Sequence, residues 1–154
     1  EQLKGKIGFI TFRDTTASFA NPKIIYKPRI VLAQRLIETI KTKWGRIEDV
    51  QIYARPKSSE ALKVAGSIDP KSLNMPASEV IIGVVKTAQF GYARKDKSVI
   101  VTAPLKDRNG EPVAAVKVKM RRFRGQTKKA SIVRIMPIVK LIESRMRDAK
   151  DLLN

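Results

Sequence analysis

The sequence predicts a single α+β domain built on an antiparallel five-stranded sheet. The sheet is flanked by a long N-terminal helix, a short crossing helix and a long C-terminal helix. Three observations carry this expectation. Two segments repeat apolar residues at helical spacing, and the segments between them alternate with a period of two. An Asn-Gly pair lies between two of the apolar runs, as in a hairpin. The chain has 154 residues, with 43% hydrophobic and 30% charged, which suits one core and one domain.

Along the chain, Ile7 to Phe12 reads as a strand or as the apolar end of an entry helix, and a loop follows through Asn21-Pro22. Ile30, Ala33, Ile37, Ile40 and Trp44 are spaced 3, 4, 3, 4, which is the seam of an amphipathic helix. Pro28 suits its first turn and Gly45 its stop. After Gly45 the period drops to two. Val50, Ile52 and Ala54 alternate with Gln51, Tyr53 and Arg55 until Pro56, and Leu62 to Gly66 forms a second short strand. A polar loop spans Ser67 to Ala77, after which Ser78 opens a short helix carrying Val80, Ile81, Val84 and Val85.

Phe90 and Tyr92 mark a third strand, Ser98 to Leu105 a fourth and Pro112 to Phe123 a fifth, the last two joined by Asp107-Arg108-Asn109-Gly110. In the fifth strand Ala114, Val116, Val118 and Met120 share one face, and Ala115, Lys117, Lys119 and Arg121 share the other. The final helix is expected over Thr127 to Leu153. Ile132, Ile135, Val139, Ile142, Met146, Ala149 and Leu153 keep a 3-4 spacing, with a kink at Pro137. The 3-4 stripes of the two long helices suit either burial within the monomer or a homodimer interface.

Composition bounds the chemistry. Lys and Arg total 32 against 14 Asp and Glu, a formal charge of +18, and the chain has neither Cys nor His. It can build no thiol nucleophile, disulfide, zinc–thiolate site or imidazole base. Glu48 and Asp49 are adjacent and so point apart on a strand, and no acid–base pair is legible. Asp14 with Thr15 and Thr16, or Asp107 with Asn109, falls short of a calcium loop. Gly5-Lys6 and Gly125-Gln126-Thr127 lack phosphate-loop spacing. No metal or cofactor is expected. No segment is long and apolar enough to span a bilayer, and Glu1 to Lys4 opens polar, unlike a signal peptide.

Three stretches, in this order of elements, resemble the Cache-type extracytoplasmic sensor domains, PAS-like folds of bacterial receptors. They are Val64-Ala65-Gly66-Ser67-Ile68-Asp69-Pro70, Val99-Ile100-Val101-Thr102-Ala103-Pro104-Leu105, and the hairpin Asp107-Arg108-Asn109-Gly110-Glu111-Pro112-Val113-Ala114-Ala115-Val116. The likeness covers about residues 28 to 123, with 127 to 153 as an added amphipathic helix. It implies a non-catalytic, periplasmic or otherwise extracytoplasmic domain that binds a small ligand for signal transduction. In such receptors the last strand usually leads into a membrane helix. Here it leads into one carrying Lys140, Glu143, Arg145, Arg147, Asp148, Lys150 and Asp151, which suits a stand-alone exported domain or a part of a larger protein.

The resemblance also implies a pocket on the sheet face away from the long helix, roofed by residues 67 to 92. Without His, its polar groups are Arg, Lys, Tyr, Ser or Thr. The candidates are Tyr53, Arg55, Tyr92, Arg94, Thr102 and Lys117, converging donors suited to a small carboxylate or phosphate. The same alternation also describes the solvated face of an ordinary antiparallel sheet.

The alternative is a nucleic-acid-binding module. From 117 to 129, Lys117, Lys119, Arg121, Arg122, Arg124, Lys128 and Lys129 put seven cations in thirteen positions with no acid. Lys and Arg along a sheet edge also deter edge-to-edge aggregation. The rest of the charge is spread along the chain, which favours the ligand-binding reading over a nucleic-acid footprint.

Overall fold

The computed structural model describes residues 30–56 and 60–154. The expected strand or entry helix at Ile7 to Phe12, the loop at Asn21-Pro22, the Pro28 start signal and the Asp14 cluster lie outside the described residues. The elements run α1 (Leu32–Lys43), β1 (Ile47–Ala54), β2 (Lys63–Ser67), α2 (Glu79–Thr87), β3 (Gly91–Lys95), β4 (Ser98–Lys106), β5 (Pro112–Arg121) and α3 (Lys128–Arg145). The strands form one antiparallel sheet in the order β2-β1-β5-β4-β3.

The alternation in β5 decides what covers each face. Ala114, Val116, Val118 and Met120 join Val50 and Ile52 from β1 and Val99, Val101 and Leu105 from β4 on one apolar face. The seams of α1 (Ala33, Ile37, Ile40) and α3 (Ile135, Val139, Ile142) close over that face and are buried in it. Most of both helical stripes is thus buried within the monomer, while Ile30 at the head of the first is 46% exposed.

Helices cover both faces of the sheet. α2 lies on the opposite face, packing against β4 and β5. There Ile81 and Val85 form a second cluster with Tyr53, Leu62, Val64 and Ala115. The physical reason is that this face is apolar toward the β1–β2 end, so a short apolar helix can bury itself on it.

The close approach of α1 to the edge strand β2 depends on Gly66. A Cβ there would lie 2.8 Å from the Ala33 carbonyl carbon and 2.9 Å from its oxygen. Beside it, the Gln34 side-chain amide donates to the Ser67 carbonyl at 3.1 Å and accepts from the Ser67 N–H at 3.2 Å.

The 107–110 turn owes its shape to its own residues. The Asp107 carboxylate accepts from the N–H groups of Asn109 and Glu111 at 2.8 and 2.9 Å, and Gly110 takes φ +85°.

The C-terminal helix is shorter than its apolar spacing predicts. α3 runs through Pro137 and stops at Arg145; Met146 is extended, and Asp148 caps a 3-10 turn over Ala149–Leu153. Both pieces bury residues in one core, but the spacing does not persist through the turn: Met146 and Leu152 belong to the same cluster as Ile142, whereas Leu153, the residue on the spacing, is only partly buried against it. The turn also returns the chain to α1, where the Leu32 N–H donates to the Asn154 carbonyl at 2.9 Å. Among the described residues no helix is long and apolar enough to cross a membrane.

Candidate ligand-binding site

Cross-strand pairing sorts the candidate residues by face, because directly paired residues point to the same side of a sheet. One row crosses four strands: Gln51 of β1 pairs with Lys117 of β5, Lys117 with Thr102 of β4, and Thr102 with Gly91 of β3. This row lies on the α2 face. A groove of about 290 Å³ opens between it and α2, lined by Ser78, Val80 and Ile81 from the helix side and by Gly91, Ile100, Thr102 and Lys117 from the sheet.

Its local chemistry is simple. Thr102 is only 4% exposed, and among the described residues no hydrogen bond engages its hydroxyl. Lys117 is half-buried, and among the described residues no carboxylate lies within 4 Å of its ammonium. Gly91 keeps the floor open. A Cβ there would press to 3.2 Å from Val84 Cγ2 and 3.3 Å from Thr102 Cβ. The groove therefore offers the hydroxyls of Ser78 and Thr102 and one cation in an otherwise largely apolar cleft, near the lower size limit of small-molecule pockets at about 300 Å³.

The other four candidates are placed elsewhere. Tyr53 points to the α2 face but is packed into the second apolar cluster, and its hydroxyl donates to Gln51 Oε1 at 2.6 Å. Arg55 is exposed just beyond the end of β1. Tyr92 borders the groove, but it pairs with Val101 and packs against the α1–α3 core, so its side chain sits on the opposite face. Arg94 follows it there, donating from Nε to the Tyr92 hydroxyl at 2.9 Å. The six residues form no single cage; Thr102 and Lys117 are the two brought together.

The electrostatics of the α2 face come from β1. Burial pushes the Asp49 carboxyl above its ordinary value, partly offset by the positive charge of Lys117. Burial, and to a lesser degree the charge of Asp49, raises the Tyr53 phenol. Glu48 behaves oppositely: the Ser98 hydroxyl donates to its Oε2 at 2.7 Å and holds its carboxyl low, with help from Lys119 at 3.4 Å. That ion pair is largely exposed, so it contributes little stability.

The run 117–129 is divided by the fold. Lys117 faces the α2 groove and Lys119 pairs with Glu48. Arg121, Arg122 and Arg124 gather at the end of the sheet around Phe123. Lys128 and Lys129 open α3, whose first turn carries no acid. Two arginines from elsewhere complete the cluster at the sheet end. Arg46, from the α1–β1 turn, and Arg134, from α3, line the same cleft as Arg121 and Arg122. They lie 75 and 13 residues from Arg121, so no local run or period marks them; only the pairing of β1 with β5 and the packing of α3 bring them in.

No family model matches the chain, and no curated protein matches it in sequence. Solved structures do match in fold. Residues 122 to 287 of a methyl-accepting chemotaxis protein superpose with a TM-score of 0.55 at 16% identity, covering 73% of this chain and 85% of that one. The GAF domain of A. aeolicus nlh2 in an inactive state gives 0.53 at 14% identity, covering 72% of this chain and 77% of that one. The chain therefore shares with these two structures an α+β fold, here with a five-stranded antiparallel sheet.

Proposed function

We propose that the chain is a non-catalytic sensory domain that binds a small anionic molecule, a carboxylate or a phosphate, in the groove beneath α2. The observation that carries this reading is the pair Thr102 and Lys117: a hydroxyl that no hydrogen bond engages and an ammonium with no carboxylate within 4 Å among the described residues, side by side in a largely apolar groove. Asp49 acts on Lys117 only through its field, and an anionic ligand would supply the direct ion pair, with its apolar part covered by the groove. The likeness to a chemoreceptor segment and a GAF domain supports a sensor in general. The Cache-type, extracytoplasmic form of the reading is supported by the likeness of the 64–70, 99–105 and 107–116 stretches alone. Lys117 lies on β5, which leads through residues 122–127 directly into α3.

A thermal-shift screen of carboxylates, phosphates and amino acids tests the proposal. A ligand at about one hundred times its Kd stabilises by about 2.7 kcal/mol, which for a chain of this size raises Tm by about 5–10 °C. The Lys117→Met variant should lose that shift while melting normally without ligand. The reading is wrong if no compound stabilises the protein, or if the variant responds as the parent does.

A further inference from the structure

At the end of the sheet remote from the α2 groove, three depressions share walls. The first, about 250 Å³, runs past Trp44 and Arg46 to Arg134. The second, about 440 Å³, is bounded by Arg46 and Arg134 on one side and by Arg121, Arg122 and Phe123 on the other. The third, about 400 Å³, continues from Phe123 past Arg124 to Lys97. Because each shares residues with the next, they form one trough from Trp44 to Lys97.

Among the described residues none of the five arginines of this trough has a carboxylate within 4 Å. Two acids reach its walls: Glu48, whose carboxylate is already engaged by Ser98 and Lys119, and Asp96, which makes no ion pair within 4 Å among the described residues. Five guanidinium groups gathered beside only these two acids repel one another, and a polyanion relieves that repulsion. The first turn of α3 adds to the same field: Lys128 and Lys129 sit at a helix N-terminus, where the helix dipole disfavours cations.

Charge alone would suit any polyanion. The aromatic side chains narrow the choice. Phe123 is 53% exposed between the second and third depressions, with the Arg134 guanidinium 5.7 Å from its ring centre. Trp44 stands at the far end, with the Lys43 ammonium 5.2 Å from its ring. The loop that presents Phe123 is anchored. Gln126, 4% exposed, accepts from the Phe123 N–H at 3.2 Å and donates to Ser131 Oγ at 2.9 Å. An exposed ring on a fixed loop, flanked by cations that can hold phosphates, matches the needs of unpaired bases on a charged backbone. Duplexes keep their bases stacked inside and cannot use such a ring.

We propose that this trough binds single-stranded nucleic acid, with phosphates on Arg46, Arg121, Arg122 and Arg134 and bases stacked on Phe123 and near Trp44. The site is separate from the α2 groove, so it stands whether or not that groove holds a ligand.

The test uses the full chain and a fluorescein-labelled oligo(dT) of about twelve nucleotides, read by anisotropy at rising salt. Binding should weaken with a log–log slope of about −3 if four phosphates are engaged. Intrinsic fluorescence from Trp44, the single tryptophan, should be quenched by the oligonucleotide and not by heparin, which carries charge without bases. The triple variant Arg46→Gln/Arg121→Gln/Arg122→Gln should bind at least about tenfold more weakly and flatten the slope by about 2. A control triple at the other end of α3, Lys140→Gln/Arg145→Gln/Arg147→Gln, removes equal charge and should change affinity less than about threefold. Absence of binding at about 50 mM salt overturns the proposal. So does equal loss in the control, heparin quenching equal to that by oligo(dT), or binding to phosphatidylserine vesicles with none to the oligonucleotide.

Discussion

Replacing Gly66 by alanine probes the docking of α1 on the sheet. In a strand, alanine is by itself favoured over glycine by about 0.5–1 kcal/mol, because the unfolded chain has less freedom to lose. Here the added Cβ would stand 2.8 and 2.9 Å from backbone atoms of Ala33, a separation that real Cβ atoms do not adopt. Backbone cannot swing aside as a side chain can, so α1 must shift outward. Overpacking of this kind costs about 1–3 kcal/mol. The shift also stretches the two hydrogen bonds between Gln34 and Ser67, worth about 1 kcal/mol each when fully made. The net destabilisation is about 2 kcal/mol, a fall in Tm of about 4–8 °C for a domain of this size. Circular-dichroism melts of the parent, Gly66→Ala, Ala33→Gly and the double variant measure it. The clash is with the carbonyl group of Ala33, so removing the Ala33 Cβ should not rescue Gly66→Ala. A Gly66→Ala protein as stable as the parent, or one restored by Ala33→Gly, would refute the reasoning.

Two further outcomes follow from single residues. Ala88 closes α2 at φ 54°, a left-handed conformation that costs a non-glycine residue about 1 kcal/mol, so Ala88→Gly should raise Tm by about 2–4 °C. Asp49 has a carboxyl raised by burial above its ordinary value of 3.8, so the folded state holds its proton more tightly than the unfolded chain. Its favourable contribution is complete below that value and is lost as pH rises through the raised one. Asp49→Asn should therefore gain stability relative to the parent as pH climbs through that window, and melts at pH 3 and pH 7 should show the gap opening upward.

Much of the fold is legible from local periodicity. The sequence of β5 separates Val116, Val118 and Met120 from Lys117 and Lys119 without ambiguity, and the structure puts the first set in the core. Periodicity fails where two differently built segments serve one core: past the break that Asp148 caps, Leu152 is buried in the cluster and Leu153, the residue on the stripe, only partly. The groove was half legible. Thr102 and Lys117 belong to one row, yet Tyr92 and Arg94 fall on the other face because the two-residue turn at Asp96-Lys97 pairs Lys95 with Ser98, which sets Tyr92 opposite Val101. A shift of one residue would have reversed them, and nothing in either strand's composition fixes that register. The arginine cluster at the sheet end was legible only in its contiguous part.

The side chain of Gln34 has a consequence for association. Its amide presents to Ser67 the same donor and acceptor that a peptide group of a neighbouring strand would present. At that point β2, the outer strand of the sheet, is already paired, by a counterfeit residue supplied from a helix. An incoming chain that sought to add a sixth strand would have to displace it together with the α1 contact at Gly66. The sheet is thus closed to growth on this side by that carboxamide together with residues 74–77, whose backbone already bonds to Leu62 and Val64, and self-association through β2 would require both α1 and this segment to lift away.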